Sequence, residues 1–489
     1  MCCAGAHDLF VFAADKPRHY YAAPDGSPTG NGSREKPWDI RSALSAGRVR
    51  PGDTIWLRGG AYGSGGVIES RVSGTGQRPV IVRQAPGERA TLNGGLAVRA
   101  GHAWYWGFEI TNTNPDRGPS REVPSCIDTY EGSAGVKLIN LVLHDCNQGV
   151  GFWSGAENGS VYGSLIYYNG YQGPRRGHGH GIYTQNRGGA KLIADNIIFS
   201  QFGSGIQAYG SSNASVVGYR VEGNILFNNG AISRGATNVD NILFAIGLPM
   251  SRIRIENNYT YHTPGGNKGY SRMGWALSDA PNKDVVVRRN YWIGGQAAVE
   301  LWNWSSVEFR ENTCYSHNAL SALLSIRPDQ STAAYSWDGN TYWGAGKFRF
   351  GARNQDGEKW RRLTGLDRRS RFHAGRPAGA WTFVRPNKYE PGRAHIVIYN
   401  WSLADRVRVD VSSVLHQGAG YEIRDAQNFF GKPVAEGVWK GGAIAIPLTG
   451  LRPAAPAGSV PAAPRHTAPE FAAFVLLPKQ VTKNAPDTE

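Results

Sequence analysis

KLIADNIIF (residues 191–199) decides how this chain is read, because its pattern returns five more times. The copies are YRVEGNILF (219–227), IRIENNYTY (253–261), VVVRRNYWI (285–293), VEFRENTCY (307–315) and SWDGNTYWG (336–344). In each, an alternating apolar run closes on an asparagine and a second run opens after it. These residues are Asn196, Asn224, Asn257, Asn290, Asn312 and Asn340, spaced 28, 33, 33, 22 and 28 residues apart. A fixed local motif at an irregular period fits stacked coils of short strands joined by loops of variable length. Alternation sends one row of side chains inward and the other outward. Asn tolerates the left-handed backbone of a sharp bend, and its amide can pair with the Asn one coil away. Hairpins in a sandwich would show two-residue glycine turns instead. The implied fold is all-β: a right-handed parallel β-helix.

Composition narrows the partners. The chain has 489 residues, a formal charge of +15, 15 Trp and 22 Tyr. Positive charge favours an acidic partner. The one dense basic run, RRLTGLDRRSR (361–371), is too short to point to nucleic acid, and an acidic polysaccharide suits the fold better. No apolar run is long enough to span a membrane, and the protein reads as a monomer. The opening MCCAGAHDLFVFAAD lacks a basic region before its apolar stretch, so it does not read as a signal peptide. Secretion or a periplasmic location is expected from the fold. Cys126 and Cys146 are 20 residues apart, about one coil, and either stack as a disulfide or stay buried as thiols.

YYAAPDGS (20–27), KPWDI (36–40), PGDTIWLRGGAY (51–62) and RPVIVRQAPGE (78–88) together resemble the N-terminal cap of β-helix polysaccharide lyases, including the pectate lyases of family nine. The likeness loosens through the coils to WRRLTGLDRRS (360–370), which is similar to the segment ending many such helices. The resemblance implies a polysaccharide substrate. It does not extend to the calcium-binding Asp cluster of family nine, for which this chain has no Asp-rich stretch. Asp195, Glu256 and Glu311 each precede a ladder Asn and form an expected acidic column at the turn edge. No cofactor is expected, and that column is where a Ca2+ ion could bind.

The organisation that follows has a leader or disordered segment at 1–19, the β-helix at 20–374, an accessory β-sandwich at 375–480 and a tail at 481–489. After residue 375 the alternating runs WTFVRPN, RAHIVIYNW, RVRVDVSSVL, GYEIRDAQN and EFAAFVLLP lack the asparagine ladder and read as a small antiparallel sandwich.

Loop lengths locate a cleft. Asn196 to Ile206 spans 10 residues and Asn290 to Val299 spans 9, but Ser164 to Ile182, Asn224 to Ile242 and Asn257 to Trp275 each span 18. Three coils therefore carry an insert: YNGYQGPRRGHGHG (168–181), NNGAISRGATNVD (228–240) and HTPGGNKGYSRMG (262–274). They bring Arg175, Arg176, His178, His180, Arg234, His262, Lys268 and Arg272 against the single carboxylate Asp240. Cations lining a cleft attract an anionic ligand. On the adjoining sheet, alternation turns Tyr183, Gln185, Gln207, Tyr209, Glu300 and Trp302 outward.

Two chemistries fit these residues. A metal-independent lyase acting by β-elimination on a uronate needs a base, an acid and a cation at the substrate carboxylate. His178 or His180, Tyr183, and Arg272, Lys268 or Arg175 would supply them. An inverting hydrolase needs two carboxyl groups, Glu300 with Asp240 or Asp279, roughly 10 Å apart by coil counting. Arg175, Arg176, Gln185, Gln207, Tyr209, Arg234, Trp302 and Trp304 are expected to bind substrate, and Trp153 and Trp275 could stack on sugars. A non-catalytic polysaccharide-binding helix is the third reading.

Overall fold

A computed structural model describes residues 16–480, apart from 120–121, 212–213, 236–238, 246, 265–268, 275–279, 296, 317–321 and 328–330. Three sheets run the length of the first domain, each of 12 strands among the described residues. One sheet runs from His19–Ala22 to Tyr335–Asp338, a second from Gly60–Tyr62 to Arg371–His373, and a third from Val67–Ser70 to Arg353–Gln355. Each coil gives one strand to each sheet, as Lys191–Ala194, Ile197–Phe199 and Ile206–Tyr209 do in turn. Successive coils pair in parallel, with Ile197 opposite Ile225 and Ile206 opposite Ile242. This is the right-handed parallel β-helix, wound in the hand that parallel crossovers prefer.

The inward residues Ile193, Ile198 and Ile206 are fully buried in one continuous core. Both ends of that core are closed. At the start, Ile40 and Ala43 of the short helix Ile40–Ala43 pack into it together with the flanking Trp38 and Leu44, and Asp39 caps the helix by accepting from the Arg41 and Ser42 amides at 3.0 Å. At the other end, Trp360 on the helix Gly357–Thr364 packs on Phe348 and Trp337 and donates to Asp367 at 2.8 Å. Plugs of this kind shield the apolar cross-section and the last strands from another chain.

The ladder is real, with one residue corrected. Asn196 Nδ2 donates to Asn224 Oδ1 at 2.9 Å, Asn224 to Asn258 at 3.0 Å, and Asn258 to Asn290 at 2.9 Å. The chain of amides continues through Asn312 to Asn340. The rung is therefore Asn258, not Asn257. The left-handed position falls one residue before each rung, at Asp195, Gly223, Asn257, Arg289, Glu311 and Gly339, with φ between 52° and 73°. The left-handed backbone expected of the ladder asparagine thus belongs to its predecessor in all six coils; in IRIENNYTY that predecessor is itself an asparagine, and it takes the bend while the second forms the rung.

The acidic column does not survive this register. Glu256 pairs with Glu222 and Arg288, whereas Asp195 is bound by Arg385 of the second domain at 2.5 Å. Cys126 and Cys146 are joined as a disulfide, with Cα atoms 5.4 Å apart. Trp275 lies outside the described residues, and the position opposite Ile242 that it was expected to fill is held by Ser271.

The second domain pairs a five-stranded antiparallel sheet with the two-stranded ribbon Arg406–Val409 and Ile444–Pro447. Val407, Ile423, Ile446 and Phe474 fill the space between them. The domain lies on the outer face of the second helix sheet. Tyr167, Phe199 and Phe227 stack along that face at 5.1 and 4.8 Å, and Tyr261 stacks on Phe471 at 4.7 Å. Polar ties edge the seam, among them Tyr261 Oη to Glu470 at 2.8 Å and Asn387 to Asn140 at 2.8 Å.

Candidate active site

The third sheet carries the outward row that alternation predicts. Asp128, Gly151, Tyr183, Gln207, Leu243, Arg272, Glu300 and Ser325 stand one above another in register. Tyr183 and Gln207 are neighbours, and four strand steps separate Tyr183 from Glu300, about 19 Å at the strand spacing. All three inserts leave the second sheet and return to the third, so they rise along one edge of this row.

The first insert folds as a hairpin, Tyr171–Gln172 against Gly177–His178. It is tied to the second insert through Gln172, which donates to the Arg234 carbonyl at 3.2 Å and accepts the Arg234 amide at 2.8 Å. Between hairpin and sheet lies a cleft of about 390 Å3 lined by Trp153, Tyr171, His178, His180, Tyr183 and Gln185. Rings meet across it. His178 stacks on Tyr171 at 5.1 Å, His180 lies 5.5 Å from Tyr183, and Trp153 lies 5.3 Å from Tyr183.

The two histidines differ in kind. His180 is buried, and its Nδ1 accepts the Ser204 amide at 3.0 Å, which leaves the ring proton on Nε2. Burial, with Arg176 and His178 adding to it, pushes its pKa down to about 3. His180 is thus a neutral donor, and it could take up a proton only by giving up Ser204. His178 is half-buried, and burial and Arg176 lower its pKa more gently. It presents a neutral imidazole at neutral pH. Burial raises the Tyr183 phenol, with Tyr209 contributing, so Tyr183 keeps its proton well into the alkaline range.

No protein-family model matches the chain, and no curated protein does. Among solved structures, pectate lyase Pel9A is 18% identical over 67% of this chain and 80% of that one, with a TM-score of 0.44. The GH136 lacto-N-biosidase from Eubacterium ramulus is 14% identical over 73% of this chain and 68% of that one, with a TM-score of 0.46. XylC in complex with xylose is 9% identical over 88% of this chain and 99% of that one, with a TM-score of 0.44. At such identities the fold stands on the strand register above, and the chemistry on the side chains themselves.

Further along the row a second cluster is more enclosed. Arg272 binds Asp240 at 2.8 Å and lies 3.9 Å from Glu300, and all three are buried. Burial raises both acids, Asp240 to about 6 and Glu300 to about 7, against the lowering effect of Arg272. Arg272 is therefore engaged by a carboxylate, unlike the free cation expected at a substrate carboxyl group. The two acids share one guanidinium.

The remaining candidates scatter. Arg175, Arg176 and Arg234 are exposed on the inserts, and Gln185, Gln207, Tyr209 and Trp302 are half-buried on the sheet face. Trp304 is corrected: it is 1% exposed, donates to the Met273 carbonyl at 3.0 Å and belongs to the core, because the chain turns inward after Trp302. Lys268 and Asp279 lie outside the described residues. Sequence reasoning missed Asp128, two strands from Tyr183 in the same row, and Lys191, whose amino group lies beneath the cleft. Among the described residues, no three His, Cys, Asp or Glu side chains gather as a metal site.

Proposed function

We propose that the protein is a polysaccharide lyase that breaks a uronic-acid-containing glycan by β-elimination. The observation that carries this reading is the cleft in which an accessible neutral imidazole, His178, and a protonated phenol, Tyr183, line one wall each, beside the exposed guanidinium groups of Arg175 and Arg176. His178 removes the C5 proton of a uronate, the electron pair forms the C4–C5 double bond, and the C4–O bond breaks. Tyr183 gives its proton to the leaving oxygen. The Nε2 proton of His180 and the rim arginines stabilise the negative charge that builds on the substrate carboxylate. The imidazoles and phenols that line the cleft are a poor donor set for calcium. The disulfide fits an exported protein.

A second reading, hydrolysis, draws on the raised acids Asp240 and Glu300. One assay separates the two: absorbance near 235 nm on a panel of uronic-acid polysaccharides, with reducing ends followed in parallel on neutral ones. Rising absorbance supports the lyase; reducing ends without absorbance reject it in favour of hydrolysis.

A further inference from the structure

Three features beneath the cleft converge on one side chain. Lys191 lies in the strand Lys191–Ala194 with its side chain wholly buried, and its amino group donates to the carbonyls of Phe152 at 2.8 Å, Trp153 at 2.6 Å and Gln185 at 2.7 Å. Burial disfavours the charge on Lys191, but three converging carbonyls call for three protons, which only the ammonium form carries. Asp128 grips the other end of Trp153, accepting the indole Nε1 proton at 2.8 Å. Gly151, next to Asp128 in the row, leaves the space: a Cβ there would lie 1.9 Å from Asp128 Oδ1 and 2.8 Å from Trp153 Nε1. A half-buried tryptophan held at backbone and ring, with one face at the cleft, is more constrained than packing requires.

We propose that Trp153 is the aromatic platform of a sugar subsite beside Tyr183, with Asp128 and Lys191 as the residues that position it. The ring face is electron-rich and pairs with the C–H face of a pyranose, while Gln185, whose backbone carbonyl the same lysine holds and whose Nε2 donates to the Tyr209 carbonyl at 3.2 Å, offers its side-chain oxygen to the hydroxyl groups. The occupant is the sugar unit next to the scissile bond; in that respect the subsite rests on the lyase reading, but binding can be measured without turnover.

The test measures the affinity of the full-length protein by calorimetry for tetrasaccharides of galacturonate, mannuronate and guluronate and for xylotetraose. The best-bound probe is then titrated into Trp153→Ala, Asp128→Ala, Asp128→Asn and Lys191→Met, with melting temperatures taken alongside. Trp153→Ala is expected to weaken binding at least about tenfold, on the scale of one lost aromatic contact in a pocket. Asp128→Ala loses part of that affinity, and Asp128→Asn, which keeps an oxygen for the indole, recovers most of it. Lys191→Met raises KM more than it lowers kcat. Binding to Trp153→Ala as tight as to the unaltered protein overturns the subsite, as does no binding of any probe. Trp153-dependent binding without any unsaturated product keeps the subsite and removes the lyase. Turnover at 235 nm with KM unmoved in Trp153→Ala does the reverse.

Discussion

Two outer faces of the same helix have opposite fates. The second sheet turns Tyr167, Phe199, Phe227 and Tyr261 outward, and the C-terminal antiparallel sheet buries them under Phe471 and its neighbours. The third sheet turns Asp128, Tyr183 and Gln207 outward and is left open beside the first insert, while Arg272 and Glu300 further along the same row are enclosed. Strand geometry is the same on both. What differs is the residue class at the outward positions: stacked aromatic rings demand cover, while polar groups at 4.8 Å intervals can meet a ligand. The C-terminal sheet thus acts first as a cover on an apolar face, and this explains why its contact strands are so rich in aromatic residues.

The sharpest way to break the comparison is at the open face. Tyr183→Phe and His178→Ala should each lower turnover by about 100-fold to 10,000-fold, read at 235 nm, with unchanged melting; a small effect would remove these residues from the chemistry. The pH profile sharpens this further. Because His178 is held below its ordinary value of 6.5, the acid limb of kcat/KM should fall below pH 6.5 and vanish in His178→Ala.

The covered face should respond in stability instead. Phe471→Ala is expected to cost about 3–5 kcal/mol in denaturant unfolding and to leave KM untouched. Within the helix, Asn258→Ala strips partners from Asn224 and Asn290 and should cost about 3 kcal/mol, whereas Asn257→Ala, at φ 55°, costs only about 1 kcal/mol of backbone strain. Equal costs would undo the rung assignment.

A pH-dependent effect of smaller size tests the enclosed cluster. The folded protein keeps a proton on Glu300 to about pH 7, above the ordinary value of 4.5, so ionising it removes stability as pH rises from 4.5 through 7. Glu300→Gln lacks that loss and should gain on the order of 1–3 kcal/mol over the unaltered protein between pH 5 and pH 8. Smallest of all, Arg176→Ala should raise KM about threefold at low salt and less at high salt.

The local pattern of the chain determined the helix, because a strand period of 2 and a recurrent asparagine are properties of short segments. It also set the outward row: Tyr183, Gln207 and Glu300 follow from counting alternate residues, and their register bears the counting out. One overlooked signal was already legible: Lys191 stands in phase with the core residue Ile193, so alternation alone turns a lysine inward. Tertiary structure decided the rest. Which of Asn257 and Asn258 forms the rung depended on amides one coil away. The neutral donor state of His180 depended on the Ser204 amide, 24 residues on. The pairing of Arg272 with Asp240 and the burial of Trp304 arose from inserts and strands converging in space. Hydrogen-bond partners and desolvation are set by what lies across the coil, and sequence distance does not record that.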